Sequence, residues 1–382
     1  MLLFLLEFLK NQGIHIPNVF FYLSTRMILS ALTALFFTLF LGPPLISKLR
    51  SMKWRQPIRK EAVETLYKLH EKKDKTPTMG GVLILGGMLL SLILWMDLTS
   101  SFTFLLMVTT LVLGGVGGFD DYLKLKHKNS KGLSGRKKMG VQLLLALFIG
   151  LYLFWPKFQS LFPLQPPYSS EVIGSIYFFP FFKEPFFVLS GAGLLIGPLL
   201  TLFIITGTSN AVNLSDGLDS MAAGLLVFAS SVLAIFAFIS SNSEIARYLN
   251  MIYIAGSGDI GVYLAALFGG CLGFLWFNSH PAEIFMGDVG SLPLGGILAV
   301  SAILLRREFL LALVGGVFVI EAFSVILQVL SFRLRRGKRI FLCTPLHHHF
   351  EYKGWPETKV VLRFWIIGLI LAMLGLASVK FQ

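Results

Sequence analysis

"GGVGGFDDYLKLKHK", residues 114–128, decides how this chain is read. An apolar run from 101 to 119 meets two adjacent aspartates, Asp120 and Asp121, and then a string of lysines. A helix needs about 20 apolar residues to cross a bilayer core roughly 30 Å thick. The run has that length, and the charges begin where it stops. Of the 382 residues, 55% are hydrophobic and only 14% charged, against about 25% charged in soluble domains. Similar runs recur near 22–46, 78–96, 139–155, 186–208, 218–240, 259–277, 290–305, 309–332 and 360–379. The composition therefore predicts an all-α polytopic integral membrane protein of about ten transmembrane helices. It forms one integral domain over 1–382, because no polar stretch is long enough to fold alone. The opening "MLLFLLEFLK" has no basic start and no small-residue cleavage site, so it reads as an interfacial segment.

Basic residues set the expected orientation. The loops 47–77, 120–138 and 333–359 hold ten, seven and seven Lys or Arg, which is 24 of the 33 in the chain. Simple alternation puts these loops on one side, the cytoplasmic side by the positive-inside rule, with both termini on the outer face. Arg306 and Arg307 are the exception, falling outside. The net charge of +13 belongs to these loops and implies no nucleic acid partner. Cys271 and Cys343 fall in different environments, so no disulfide is expected.

Two further loops on the cytoplasmic side, 209–217 and 278–289, carry no Lys or Arg and are rich in Asp, Asn and His. Carboxylates at the end of a helix oppose its dipole, and adjacent carboxylates repel. Asp120-Asp121 therefore becomes favourable if a cation or a transferred proton sits beside it; the alternative is that the pair merely marks a helix leaving the membrane. In "NAVNLSDGLDS", Asn210 and Asn213, like Asp216 and Asp219, are three apart, which places each pair on one face of a helical turn. The alternative is that Asp216 is an N-cap and Asn210 a C-cap. In "NSHPAEIFMGDVGS", Gly287 and Gly290 let the backbone around Asp288 approach a metal or an anion closely. The alternative makes Asp288 an N-cap. Phe285 is placed either to stack on a planar ring or to pack. "TPLHHHFE" holds His347, His348 and His349; without the H-E-x-x-H spacing of zinc sites, phosphate binding or proton transfer fits better, the alternative being a solvated turn. "HEKKDKTPTMGG" offers Lys72, Lys73 and Lys75 to an anionic substrate. Glu321, deep in the ninth span, is a functional candidate by its position in the membrane, or a carboxyl held by a neighbouring helix. Carboxylates hold Mg²⁺ one or two at a time beside phosphate oxygens, and the metal offsets charge in phosphoryl transfer. A site at the membrane face suits one water-soluble and one lipid reactant.

"TPTMGG", "GGFDDYLK", "NAVNLSDGLD", "FMGDVGS" and "TPLHHHFE" together resemble the phospho-N-acetylmuramoyl-pentapeptide transferase family, within the polyprenyl-phosphate N-acetylhexosamine-1-phosphate transferases. The resemblance covers the chain from about residue 40 to its end. It implies transfer of phospho-MurNAc-pentapeptide from UDP-MurNAc-pentapeptide to undecaprenyl phosphate, giving lipid I and UMP with Mg²⁺, for peptidoglycan biosynthesis. It also implies a homodimer in the bacterial inner membrane. By motif, Asp288 is the expected magnesium ligand. Asp120, with Asp121 beside it, is the base or nucleophile, and His347 is the functional histidine, with His348 and His349 near the substrate phosphates. Lys73, Gly217, Leu218, Asp219, Asn278 and Phe285 would form the uridine pocket, supported by Asn210, Asn213 and Asp216. Glu321 would lie beside a lipid groove. Lys75 replaces the glycine usual before "TPTMGG", so Lys72 and Lys75 remain open as nucleotide contacts. A related transferase of another UDP-sugar and a secondary transporter are the competing readings. The Phe- and Pro-rich loop 156–185 is left without a function.

Overall fold

In lipid every backbone polar group must be satisfied inside its own segment, so long apolar runs fold as helices. The computed structural model describes residues 2–52, 54, 76–127, 132–164, 167–168 and 171–381, and Lys72, Lys73 and Lys75 lie outside them. Among the described residues, eight helices are long and apolar enough to cross a membrane: Leu23–Ser51, Ser101–His127, Gly135–Phe154, Gly193–Ser215, Met221–Ser240, Gly258–Asn278, Gly316–Leu334 and Glu357–Ala377. Gly81–Trp95 and Asp288–Leu304 are shorter apolar helices. Each of these ten overlaps one of the ten expected spans.

The packing sorts them into a centre and a rim. Met221–Ser240, Gly258–Asn278 and Asp288–Leu304 are buried along most of their length. Leu23–Ser51 lies on Gly258–Asn278, and Ser101–His127 and the 196–215 helix both lie on Asp288–Leu304. Lipid tails are as apolar as Leu, so such helices associate through close van der Waals fit and small residues at the contact. Gly117 is one such place. A Cβ there would collide with the backbone of Asp288 and Val289, so only glycine lets the two helices approach where the aspartates stand. Rim helices keep an exposed apolar face, as Phe323, Ile326 and Leu330 do on Gly316–Leu334.

Several boundaries differ from the sequence reading. The third helix continues to His127, so Asp120 and Asp121 sit inside it, and Lys124, Lys126 and His127 occupy its last turn, where cations complement the dipole. The fifth helix starts at Ile196 and runs through Ser215, so Asn210 and Asn213 are helical rather than in a loop. The apolar stretch before it instead forms a short hairpin, Ile176–Tyr177 antiparallel to Phe187–Val188. The ninth span is broken at Gly315 into Glu308–Val314 and Gly316–Leu334.

The hairpin accounts for Arg306 and Arg307. Both are buried. The Arg306 guanidinium lies over the rings of Phe154, Tyr168 and Tyr177 at 5.3, 5.1 and 5.6 Å, and it pairs with Glu308 at 3.3 Å. That of Arg307 lies over Phe178 and Phe236 at 5.0 and 5.4 Å. Both charges stand in the turn between Asp288–Leu304 and Glu308–Val314, sheltered by cation–π contacts with these rings.

Candidate active site

The aspartate pair meets Asp288 across the contact that Gly117 allows. Carboxylate oxygens of Asp120, Asp121 and Asp288 lie within 4.8 Å of one another. Two lysines bridge them. Lys124, one helical turn beyond Asp120, has its Nζ 2.6 Å from Asp120 Oδ2, 3.5 Å from Asp121 Oδ1 and 3.1 Å from Asp288 Oδ2. Lys138, at the start of the next helix, lies 3.3 Å from Asp120 Oδ2 and 2.9 Å from Asp288 Oδ2. The Leu133 amide donates to Asp120 Oδ1 at 2.6 Å. Asn213 donates to Asp288 Oδ1 and to Ser291 Oγ at 2.9 and 2.8 Å.

Each carboxylate thus has a distinct setting. Asp120 is fully buried and held on both oxygens. Asp121 accepts from the Val289 amide at 3.0 Å, capping the Asp288–Leu304 helix from outside, where a helix N-terminus favours an anion. Asp288 is the first residue of that helix and does not cap it; its carboxylate points at the lysines and Asn213. Repulsion within the aspartate pair is therefore offset by two ammonium groups and a helix end, none of which is visible at positions 120 and 121 alone.

Backbone pairing brings two motifs together. Phe285 N donates to Pro77 O, Gly80 N to Phe285 O and Gly81 N to Met286 O, each at 2.8 Å. This stitches 77–81 to 285–286 and fixes the turn before Asp288. Gly287 has φ +75, and a Cβ on it would lie 2.6 Å from Asp121 Oδ2 and 2.9 Å from Thr78 Oγ1. Glycine is required there by both conformation and space.

The 210–219 stretch does not present one common face. Asn210 is turned to Gln142 Oε1 at 2.8 Å and locks two helices together, whereas Asn213 reaches Asp288. Asp216 ends the fifth helix. Although partly exposed, its carboxyl is pushed up to about 7, first by lost hydration and then by the carboxylates of Asp288 and Asp121. Asp219 turns away into a second cluster, 2.9 Å from His280 Nδ1, with Glu357 3.6 Å from the same nitrogen. Asn278 accepts from Ser220 N at 2.9 Å and donates to Ile284 O at 2.8 Å. Leu218 is buried beside Gly217.

The three histidines lie on the short helix Leu346–Tyr352 and fan out. His347 is fully buried, and its Nδ1 is 3.2 Å from Glu321 Oε2. Glu321, equally buried, accepts from the Leu346 and His347 amides at 2.7 and 3.1 Å. It therefore caps the histidine helix and faces inward, not toward a surface groove. A side chain on Gly217 would collide with His347 Nε2, which joins the 217 turn to the histidine helix. His348 pairs with Glu351 at 2.7 Å. His349 Nδ1 accepts from Leu342 N at 3.1 Å; burial and then Lys353 lower its pKa.

Lys124, Lys138, Thr78, His280 and Glu357 were not singled out by sequence reasoning. Lys124 carried a usable signal, its i+4 and i+3 spacing from the two aspartates on a helix. The side-chain partners of Lys138, His280 and Glu357 lie far off along the chain.

Comparison with known proteins places the chain in a family. The model of glycosyl transferase family 4 matches residues 103–306, and the phospho-N-acetylmuramoyl-pentapeptide-transferase signature 1 matches residues 73–85. A phospho-N-acetylmuramoyl-pentapeptide-transferase of Protochlamydia amoebophila is 54% identical over 410 residues, covering all of both chains. Proteins of the same name from Thermodesulfovibrio yellowstonii and Desulfotalea psychrophila are 47% and 45% identical, with 96% of each chain covered. Identity of this order along the whole length, with the aspartates, lysines and histidines gathered at one end of an apolar bundle, makes this chain a member of the phospho-N-acetylmuramoyl-pentapeptide-transferase family.

Proposed function

We propose that the chain transfers phospho-MurNAc-pentapeptide from UDP-MurNAc-pentapeptide to undecaprenyl phosphate, releasing UMP and forming lipid I. It acts as one domain in the cytoplasmic membrane, with the site facing the cytoplasm and as a homodimer. The observation that carries this reading is the meeting of Asp120, Asp121 and Asp288 with Lys124 and Lys138. The basic loops around it support the cytoplasmic orientation.

The donor set fits a magnesium ion. It is made of carboxylate oxygens alone, which a hard cation prefers, and ammonium groups already occupy the place of positive charge between Asp120 and Asp288. Asp288, with Asp120 or Asp121, would hold the ion, which when bound offsets the charge that develops on the phosphates. The protein's own groups then have separate tasks. In the reaction an oxygen of the lipid phosphate attacks the sugar-bearing phosphorus, and the bond from that phosphorus to UMP breaks. Lys124 and Lys138 are placed to hold phosphate oxygens. Asn213 and Ser291 fix the Asp288 carboxylate. Asp120, held by Leu133 N and Lys124 and fully buried, suits orientation of the lipid phosphate and acceptance of its proton. A carboxylate that attacked phosphorus itself would need open access to it, so direct transfer is favoured over a phospho-enzyme. The turn 217–219, Asn278 and Phe285 form the proposed uridine pocket, Lys73 is the proposed nucleotide contact from outside the described residues, and His347, positioned by Glu321, faces the same turn.

The test is UMP release by the purified full-length chain from UDP-MurNAc-pentapeptide, with and without undecaprenyl phosphate and Mg²⁺. Product from this donor, dependent on lipid and metal, is expected. Product only from another UDP-sugar would reassign the substrate. UMP release or exchange without lipid would establish a phospho-enzyme instead. The transporter reading needs polar groups near the bilayer midplane, whereas this cluster sits at helix ends.

A further inference from the structure

The ninth span ends in a strongly basic turn that the proposed reaction does not use. Arg333, Arg335, Arg336, Lys338 and Arg339 fall within seven positions, and no Asp or Glu occurs between 322 and 350. All of residues 332–340 are exposed, and none of the five cations forms an ion pair with a described residue. Large apolar side chains are interleaved with them: Phe332, Leu334, Ile340 and Leu342 are each at least half exposed. Water alone is a poor partner for such a surface, because the charges ask for anions and the side chains between them ask for hydrocarbon.

The turn is nevertheless built. Gln328 Oε1 accepts from Ile340 N and Phe341 N, both at 3.0 Å, and Ser331 Oγ donates to Lys338 O at 2.9 Å. Folded back this way, Arg333 and Arg339 line a cavity of about 290 Å³ with Gln328, Phe332, Cys343 and Thr344. That volume is at the small end of ligand pockets, about 300–1,000 Å³, which suits a headgroup and not a nucleotide sugar. Guanidinium groups are the side chains best matched to phosphate oxygens.

We propose that the 328–344 turn is a binding site for the phosphate headgroup of an anionic membrane phospholipid, taken by Arg333 and Arg339, with Phe332, Leu334 and Ile340 entering the acyl region beside it. The turn is wired to the histidine helix through the Leu342 amide on His349 Nδ1 and the contact of the Phe341 and His349 rings at 5.7 Å. A bound lipid would thus steady the Leu346–Tyr352 helix. The proposal requires only that phospholipid reach this turn and is independent of which sugar phosphate is transferred.

The experiment titrates the detergent-purified full-length chain with phosphatidylglycerol or phosphatidylcholine and reads bound lipid by native mass spectrometry. Two arginines at an anionic surface are together worth about thirtyfold in affinity. The double variant Arg333→Gln/Arg339→Gln is therefore expected to lose about that much of the preference for phosphatidylglycerol. Lys48→Gln/Arg50→Gln, which removes two charges from another helix end, is expected to keep it. Equal losses in both variants, or no preference in the unaltered chain, overturn the proposal. Cys343 gives a reading that needs no variant, since the other cysteine, Cys271, is fully buried. Maleimide labelling of Cys343 should slow with phosphatidylglycerol and not with glycerol phosphate. Equal protection by glycerol phosphate would mean a site for soluble phosphate, and no protection by either would remove the cavity from the proposal's support and refute it.

Discussion

Replacing Glu321 by Gln tests whether this intramembrane carboxylate is the anchor of the histidine helix. One side chain serves two amides, those of Leu346 and His347, at 2.7 and 3.1 Å. A hydrogen bond to a charged group contributes about 1.5–3 kcal/mol and a neutral one about 0.5–1.5 kcal/mol. Gln keeps one acceptor oxygen, so one amide exchanges a strong bond for a weak one, a loss of about 1 kcal/mol. The other amide meets an NH₂ group and is left unsatisfied, at about 1–3 kcal/mol. The total, about 2–4 kcal/mol, falls on one short helix. At tenfold for each 1.4 kcal/mol, local opening should become about 30 to 1,000 times more frequent. Hydrogen exchange read by mass spectrometry over residues 345–352 measures this directly, and UMP formation should fall with it as His347 loses its setting. Glu321→Asp, which keeps the charge on a shorter stem, should lie between the two. Exchange within about threefold of the unaltered chain, under roughly 1 kcal/mol, together with undiminished UMP formation, would refute the anchoring argument.

Asp288→Asn removes the oxygen that Lys124 and Lys138 share and should lower UMP formation at least about a hundredfold; near-normal turnover at limiting Mg²⁺ would contradict the metal assignment. Asp120→Asn should reduce turnover far more than nucleotide affinity measured by calorimetry, and equal losses would point to a structural role. Gly117→Ala forces apart the helices that bring Asp121 to Val289 and should cost about 1–3 kcal/mol of stability along with activity; a thermal midpoint unchanged from the parent would count against the close approach. Asp216 holds its proton up to about 7 against an ordinary 3.8. The folded chain therefore keeps a proton that the unfolded chain has released across that interval, and stability falls as pH rises through it. In chelator, Asp216→Asn should flatten the fall of the thermal midpoint between about pH 4 and 7; parallel curves would exclude the effect.

The number and order of spans were legible because length and hydropathy alone decide them. Their ends were not. Asp120 and Asp121 look like the end of a helix only while their partners are unknown. Once Lys124, Lys138 and the Val289 amide stand beside them, the helix passes through without penalty. Phe186–Val188 has the composition of a span, but those residues pair with a neighbouring strand and pack on Phe309. The aspartates, Asn213 and the histidines were legible as a polar set on one face. Which of them meet was not, because a three-residue spacing says nothing once a helix ends at Ser215 and the chain turns: Asp216 and Asp219 part there. Lys124 and Lys138 were hidden by their own abundance, counted among the charges that orient the loops. Glu321 stood out in the sequence by its place in a span, and the structure shows it buried and hydrogen-bonded to the histidine helix. Its partners lie about seven helical turns further along the chain in sequence terms, so its role was unreadable.

The meeting of residue 120 with residue 288 has a consequence for biosynthesis. A ribosome that halts just short of Asp288 has already made seven of the ten described apolar helices, yet the aspartate–lysine cluster still lacks its third carboxylate. The site is therefore completed only in about the last quarter of translation, when Asp288 and then the histidine helix join what is already in place.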